Sequence, residues 1–539
     1  MFSRNGKIKI NLSPLKFDPA LRKSPYSLDE MQQWVVDIFS AIPSRDLEKP
    51  LDEPEWSLGS AYQDQNVSKL IKYVPVADET ILDIIWSMPA QTEFYRVKPL
   101  KFYIWLLKRR GKGSILSYLK KNDWANDLRE IETEENNYHS KLRIQFRLTE
   151  SGLANWEQVV KSVYSYLAMI RELSEAERAR IFNEIKRIDN IGWTSKEEGE
   201  SSANCLDIAE TMQYIGDSTR WIDGDYLMFD YNSEKLVEVL EYLAPDKCTI
   251  ILSSKKFDSI AVQEEKWMAG KYMIQDLCQT AIESWKQSET IRKGLRQNGQ
   301  SYWSCLLFPS KQSEFSVPST NKYLAENLKI KDDEPSTEWD AVRRIEHSEN
   351  GELWFKGEGD SNLPRATISL LIRSSLPFEN ARNMAIHEFF PYILTRIMDD
   401  EISDAEIAIL HIEIKAETNT INIKLTGIND KLRHVRNLVF QLHYFCSNRE
   451  RLLLEECINQ MMNFEPSQAA FESIKAQFLQ SYRSKVQNPE ELTEDLKLAF
   501  LKSTSFPLID RINALESLSR EELVDFVKAY RKGSGCKFC

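Results

Sequence analysis

The chain has 539 residues, 42% of them hydrophobic and 28% charged, so it is a globular protein too long for a single core. Its 82 acidic residues outnumber 70 basic ones, and the net charge of −12 argues against a nucleic-acid binder while favouring cationic ligands. No apolar run reaches the roughly 18 residues that a membrane span needs, so no membrane partner is expected. The opening MFSRNGKIKINLSPL lacks the apolar stretch of a secretory signal. Cys205, Cys248, Cys278, Cys305, Cys446 and Cys457 are isolated. They read as buried or incidental thiols of a reducing compartment, and the expected location is cytoplasmic.

Ser27 and Glu30 form a capping-box signature ahead of MQQWVVDIFSAI, whose apolar spacing is helical. No strand precedes this helix, and residues 1–60 read as the tail of a truncated domain. ILDIIWSMP (81–89) is an apolar strand leading to a helix over about 100–121. Leu142, Ile144, Phe146 and Leu148 alternate with Arg143, Gln145 and Arg147, the period of a half-buried strand. Trp156, Val159, Val160, Val163, Leu167 and Ile170 then form one helical stripe. The set recurs further along. TISLLIRSSLP (367–377) leads to a helix at about 379–398, and Ile421, Ile423 and Leu425 alternate with Asn422 and Lys424. A stripe from Leu432 through Val435, Leu438, Val439 and Leu442 to Phe445 follows. The recurrence is a domain duplication. The expected fold is α+β: tandem homologous αβ-roll domains, each a mixed sheet packed by helices. Boundaries fall at 61–290 for one domain and 346–539 for the next. A connector at 291–345 lies within the Ser-, Pro-, Lys- and Asp-rich stretch 287–345. A second capping box, Ser519 with Glu522, opens the last helix, and GSGCKFC reads as a frayed end.

The six histidines are His139, His347, His387, His411, His434 and His443, and none has a second histidine four residues away. Neither His-x-x-Glu-His nor His-Glu-x-x-His occurs, so no catalytic or metal-ligating residue is assigned. His387-Glu388 is the nearest imitation. His139 and His347 read as loop residues, His411 as lying on an exposed strand face, His434 on the polar side of a helix, and His387 and His443 as helical core or boundary residues. Cys536 and Cys539 make one Cys-x-x-Cys without a second pair, which does not complete a tetrahedral site. No phosphate-binding glycine loop stands in a strand–helix context.

YRVKPL (95–100), Trp105-Leu106, GKGSILSYLKKNDWA (111–125), IFNEIKRIDN (181–190), YIGDSTRWIDGDYLMFDY (214–231), EKWMAGKY (265–272), LWFK (353–356) and GINDKL (427–432) together resemble the insulinase/pitrilysin zinc metallopeptidases, on their nardilysin branch. The likeness covers nearly all of residues 25–530. It implies a metallohydrolase-like architecture of four αβ-roll domains, of which this chain supplies the second and most of the third. It also implies a catalytic zinc held on the first domain by the inverted His-x-x-Glu-His helix. No zinc is expected on this chain, and its expected role is the non-zinc portion of a metalloendopeptidase in peptide proteolysis, itself inactive. The alternative is a non-catalytic pseudo-peptidase that binds peptides. Implied partners are peptides and a second subunit, either a homodimer copy or a zinc-domain subunit. The family's peptide-anchoring exosite maps onto Gly111, Lys112, Gly113 and Ser114 and the strand near Asn126-Asp127-Leu128-Arg129. There Arg129-Glu130 stands where the family has a glycine pair, and Arg109 where it has a histidine. The plainer reading is that Gly111 and Gly113 simply break two helices.

Overall fold

The computed structural model describes residues 26–41, 67–76, 79–196, 201–296, 315–328, 342–348, 351–356, 363–428, 453–532 and 535–538. They fall into two compact units. The first runs to Val317, except that 109–112 and 190–197 group with the second, which takes the remainder.

In the first unit, strands β1 (Lys69–Tyr73), β2 (Ile81–Pro89), β3 (Ala125–Glu135), β4 (His139–Leu148), β5 (Cys248–Ser253), β6 (Gln263–Glu264) and β7 (Lys271–Asp276) form one mixed sheet. Their order is β3-β4-β2-β5-β1-β7-β6. The alternation expected over 142–148 is met: Leu142, Ile144, Phe146 and Leu148 are buried, and β4 pairs antiparallel with both β2 and β3. Helix α5 (Trp156–Arg171) lays its stripe against this sheet, with Val159, Val160, Val163 and Leu167 fully buried. Trp86 on β2 donates to the Tyr164 hydroxyl (3.2 Å), and Tyr164 stacks on Trp285 of α9 (Gln279–Arg296), joining sheet and helices through one aromatic column.

The helix expected over 100–121 is two helices, α2 (Pro99–Leu107) and α3 (Ile115–Lys121). The break comes at Gly113, whose φ of 84° no helix accommodates. Part of the stretch expected as a connector is packed: α9 continues to Arg296, and Tyr323, Leu324 and Ala325 are buried. Helix α1 (Leu28–Phe39) carries the full capping box, with Glu30 N–H donating to Ser27 Oγ and Ser27 N–H to Glu30, and it has no buried residue.

The second unit holds β8 (Arg343–Ser348), β9 (Gly351–Phe355), β10 (Arg365–Arg373), β11 (Leu410–Glu417), β12 (Thr420–Ile428) and β13 (Gly535–Phe538), in the order β11-β12-β10-β13-β9-β8. Apart from β6, which has no counterpart among the described residues, the ladders of the two sheets correspond. An antiparallel hairpin at the edge (β3-β4, β11-β12) joins a long strand (β2, β10), then an antiparallel partner (β5, β13), a parallel one (β1, β9) and an antiparallel one (β7, β8). The duplication is therefore one of topology. The copies differ in the last of these strands, which follows its neighbour in the chain as β7 and precedes it as β8.

Residues 535–538 are not a frayed end but β13, paired with β10 on one side and β9 on the other. His139 opens β4 and His347 lies in β8, so neither is a loop residue. Helices α10 (Ala381–Ile397), α11 (Asp399–Ile407), α12 (Leu453–Met462), α13 (Gln468–Gln487), α14 (Pro489–Leu501), α15 (Leu508–Glu516) and α16 (Arg520–Lys532) complete the unit. The Ser519–Glu522 capping box opens α16 as expected. The stripe from Leu432 to Phe445, with His434 and His443, lies outside the described residues.

Candidate functional site

Two features bear on the expected exosite: the glycine turn and the strand after it. In the turn, Gly111, Gly113 and Ser114 are buried and only Lys112 is exposed. Ser114 caps α3, its hydroxyl accepting from Ser117 N–H (3.1 Å). Gly113 is required twice over. Its φ is positive, and a Cβ there would lie 2.0 Å from Ser316 Oγ. Its carbonyl already accepts from Ser316 N–H (3.2 Å). Gly111 carries no such demand: a Cβ would meet nothing nearer than 3.8 Å, and its φ is not positive. Gly113 and Ser114 group with the first unit, and Gly111 and Lys112 with the second.

Helix α3 packs on β3. This strand lies at the sheet edge, with β4 on one side and no strand on the other among the described residues. Ala125, Leu128 and Ile131 anchor it in the core. Register shifts between Ala125 and Asp127 and between Leu128 and Glu130 mark two bulges, at Asn126 and Arg129. Bulges twist an edge and re-aim its side chains. The strand carries Asp127, Glu130, Glu132, Glu134 and Glu135 against a single Arg129. Cations on neighbouring strands partly balance them: Arg143 reaches Glu130 (3.1 Å) and Glu132 (2.8 Å), and Lys141 reaches Glu134 (2.6 Å). The Lys141 bond holds the Glu134 carboxyl below its usual range. Burial pushes Asp83 up, against the opposing effects of its Gln145 hydrogen bond and the Arg143 charge. The edge is thus an acidic row that no second strand covers among the described residues. The strand expected near Asn126–Arg129 runs on to Glu135, and the acids at 130–135 carry no sequence signal of their own.

Upstream, Lys98 fixes the start of α2. It sits in the left-handed region (φ 49°), and its ammonium donates to Gly224 O (2.6 Å). Burial pushes this amine down to about 8, although the Asp225 charge opposes the shift.

His387-Glu388 does not fit zinc. His387 Nε2–H donates to the Glu417 carbonyl (2.9 Å), and its ring stacks on Tyr530. Burial lowers its basicity. Glu388 is taken by Arg511 (2.6 and 2.8 Å) and by the Tyr482 hydroxyl. Among the described residues, no three His, Cys, Asp or Glu side chains are grouped to hold a metal. No described helix is long and apolar enough to cross a membrane. Cys205 and Cys278 are exposed free thiols, whereas Cys248 and Cys457 are buried ones.

Residues 24–186 match the family model described as the peptidase M16 inactive domain, and residues 193–514 match the middle or third domain of peptidase M16. The chain belongs to the peptidase M16 family. Within it the chain is nardilysin-like. It is 30% identical over 515 residues to nardilysin of Rattus norvegicus, covering 94% of this chain and 40% of that protein. Insulin-degrading enzyme of Drosophila melanogaster is 22% identical over 505 residues, with 94% and 46% covered. A crystal structure of pitrilysin shares the fold, with a TM-score of 0.63 at 17% identity over 96% of this chain and 50% of that one. The chain spans about 40% of the length of the nardilysins it matches.

Proposed function

We propose that this chain is a peptide-holding, non-cleaving portion of a nardilysin-like metalloendopeptidase, and that edge strand β3 is its anchor. One observation carries the reading: an acidic, doubly bulged edge with no strand on its outer flank among the described residues, seated on helix α3, which Ser114 caps. An extended peptide adding to this edge gains main-chain hydrogen bonds with little dependence on sequence. The carboxylate row selects basic segments. Gly113 and Ser114 set the start of α3 beneath the strand. Hydrolysis requires a zinc-bearing domain or subunit, since these 539 residues contain no His-x-x-Glu-His. The same reading locates the chain in the cytoplasm, as a homodimer or paired with that zinc-bearing subunit.

Fluorescence anisotropy with a fluorescein-labelled peptide of alternating Arg and Ala tests it. Saturable binding that weakens with salt, and no cleavage by mass spectrometry, is the expected result. Chelator-sensitive cleavage by the homogeneous chain, or no binding at high micromolar concentration, overturns it. The alternative of a stand-alone pseudo-peptidase is separated by adding the zinc-bearing domain of a relative: restored cleavage favours the enzyme portion, whereas binding that stays unproductive favours the pseudo-peptidase.

A further inference from the structure

In the second unit, α10 packs on β11 and puts His387 against the turn of the β11–β12 hairpin. The hairpin turns of the two sheets close differently. In the first unit the β3–β4 turn closes on itself: Asn136 Oδ1 accepts from the N–H groups of Tyr138 and His139, and Asn136 N–H donates to the His139 carbonyl (3.1 Å). In the second unit, neighbours hold the turn that joins Glu417 to Thr420. His387 Nε2–H donates to the Glu417 carbonyl (2.9 Å), and Ser374 N–H to the Asn419 carbonyl (3.0 Å). The Tyr530 hydroxyl donates to Ile372 O (3.1 Å) within reach of Asn419 O (3.5 Å), and its ring stacks on the His387 imidazole (5.6 Å between centroids). Helix α2, which follows β2 as α10 follows β10, carries no histidine.

The His387 ring is fully buried, and its one hydrogen bond fixes its protonation. A carbonyl can only accept, so Nε2 bears the hydrogen and Nδ1 the lone pair. Nδ1 is buried without a partner among the described residues. A second proton would create a donor with nothing to accept it and a charge with no water around it. The surrounding groups offer little compensation. Glu388, next on the same helix, favours the charged ring, but Arg511 of α15 and Tyr482 of α13 already hold it. The Glu417 carboxylate on β11 accepts from Asn422 (3.0 Å). From α16 comes the Tyr530 phenol, and nearer the start of α10 Arg382 pairs with Glu522 of α16 (2.8 Å). The acids of α11 begin at Asp399, about 18 Å along the helical path at roughly 1.5 Å per residue. The packed turn Leu376–Phe378 has no titratable side chain. Burial thus outweighs Glu388 and pushes the imidazole below its usual range.

We infer that His387 is an acid-sensitive latch: as a neutral imidazole it ties the β11–β12 turn to α10, and on taking up a proton it lets the turn go. To be solvated, the charged ring must leave the Glu417 carbonyl, and Tyr530 loses its stacking partner with it. The opened turn takes the proton near the ordinary histidine value of about 6.5, and the closed turn only at lower pH. The turn is therefore fully held above about 6.5 and is released as pH falls below that value. A neutral cytoplasm keeps the latch closed, and an acidic compartment opens it. Neither a peptide nor a zinc takes part, so the latch stands whether or not β3 anchors a substrate.

Hydrogen exchange of the full chain at about pH 7.5 and about pH 4.5 tests it, with each rate corrected for the intrinsic pH dependence of exchange. Protection at 417–420 and at Ser374 is expected to fall by at least about tenfold over that interval, while α13 stays protected. His387→Gln keeps an amide nitrogen where Nε2 stands and cannot titrate, so its protection should not change with pH. Tyr530→Phe removes the hydroxyl but keeps the ring, and should lower protection at both pH values without removing the response. Exchange of the histidine C2 protons in the unaltered chain, read peptide by peptide by mass spectrometry, follows His387 directly and needs no variant. Its titration is expected below about 6.5. Protection that is flat with pH, a response that survives His387→Gln, a loss shared equally by α13, or a His387 titration at or above about 6.5 overturns the inference.

Discussion

Replacing Gly113 by alanine should loosen the α3 turn, and the structure sets the size of the effect. Alanine at φ 84° costs about 1 kcal/mol. The new methyl would lie 2.0 Å from Ser316 Oγ and 3.0 Å from Ser316 Cβ and N. The hydroxyl can rotate away, but the backbone must also retreat. That retreat breaks the Ser316 N–H bond to Gly113 O, worth about 1 kcal/mol. It also loosens Phe315, which touches Tyr118 (5.0 Å) and Tyr166 (5.6 Å), contacts worth about 0.5–1.5 kcal/mol each. The total is about 3–5 kcal/mol, or roughly 150- to 5,000-fold faster amide exchange at 315–317 and in α3. Ser316→Gly in the Gly113→Ala background should recover part of this by removing the hydroxymethyl. Gly111→Ala, with room for its methyl, should be neutral or stabilise by about 0.4–1 kcal/mol. A Gly113→Ala variant whose exchange changes by less than about threefold, with no gain from Ser316→Gly, would refute the steric argument.

Arg511→Ala should cost about 3–5 kcal/mol, because it strands two carboxylates around a largely buried site; urea unfolding followed through the second unit measures it. A loss below about 1 kcal/mol would mean that the network is wet. Lys98 sets a pH dependence. Its folded amine titrates near 8, below the 10.5 usual for lysine, so between those values the unfolded chain holds the extra proton and stability rises with pH. Lys98→Met should abolish that rise in first-unit unfolding between pH 8 and 10, and an unchanged slope would rule Lys98 out. Charge reversal at Glu130 and Glu132 to lysine should weaken the Arg/Ala peptide at least about tenfold, with the secondary structure intact by circular dichroism. Equal affinity would remove β3 as the anchor.

Much of the scaffold was legible because it rests on local periodicity. The two-residue alternation of β4 and β12, the α5 stripe and both capping boxes are set by neighbours within a few positions. What escaped depended on distant partners. GCKF (535–538) is too short and mixed to announce a strand; it becomes one because β9 and β10 present ladders on either side. Of the β3 segment ANDLREIETEE only the start near Asn126–Arg129 was expected, through the family resemblance, because just Ala125, Leu128 and Ile131 face the core and two bulges disturb the period. The glycine turn was visible, but its reason, the approach of Ser316, was not. Glu388 was noticed for a false resemblance to a zinc helix, whereas its true partner, Arg511, lies on α15.

The position of β13 also constrains how the second sheet can assemble. Gly351 meets Cys536 and Arg373 meets Gly535, so among the described residues the β8–β9 hairpin joins the rest of its sheet through residues made long after it. Such a closure is entropically late. Until it happens, the β10–β12 meander and the β8–β9 hairpin each offer a bare edge, and a ribosome-bound or truncated chain would carry two adhesive surfaces where the mature protein has one continuous ladder.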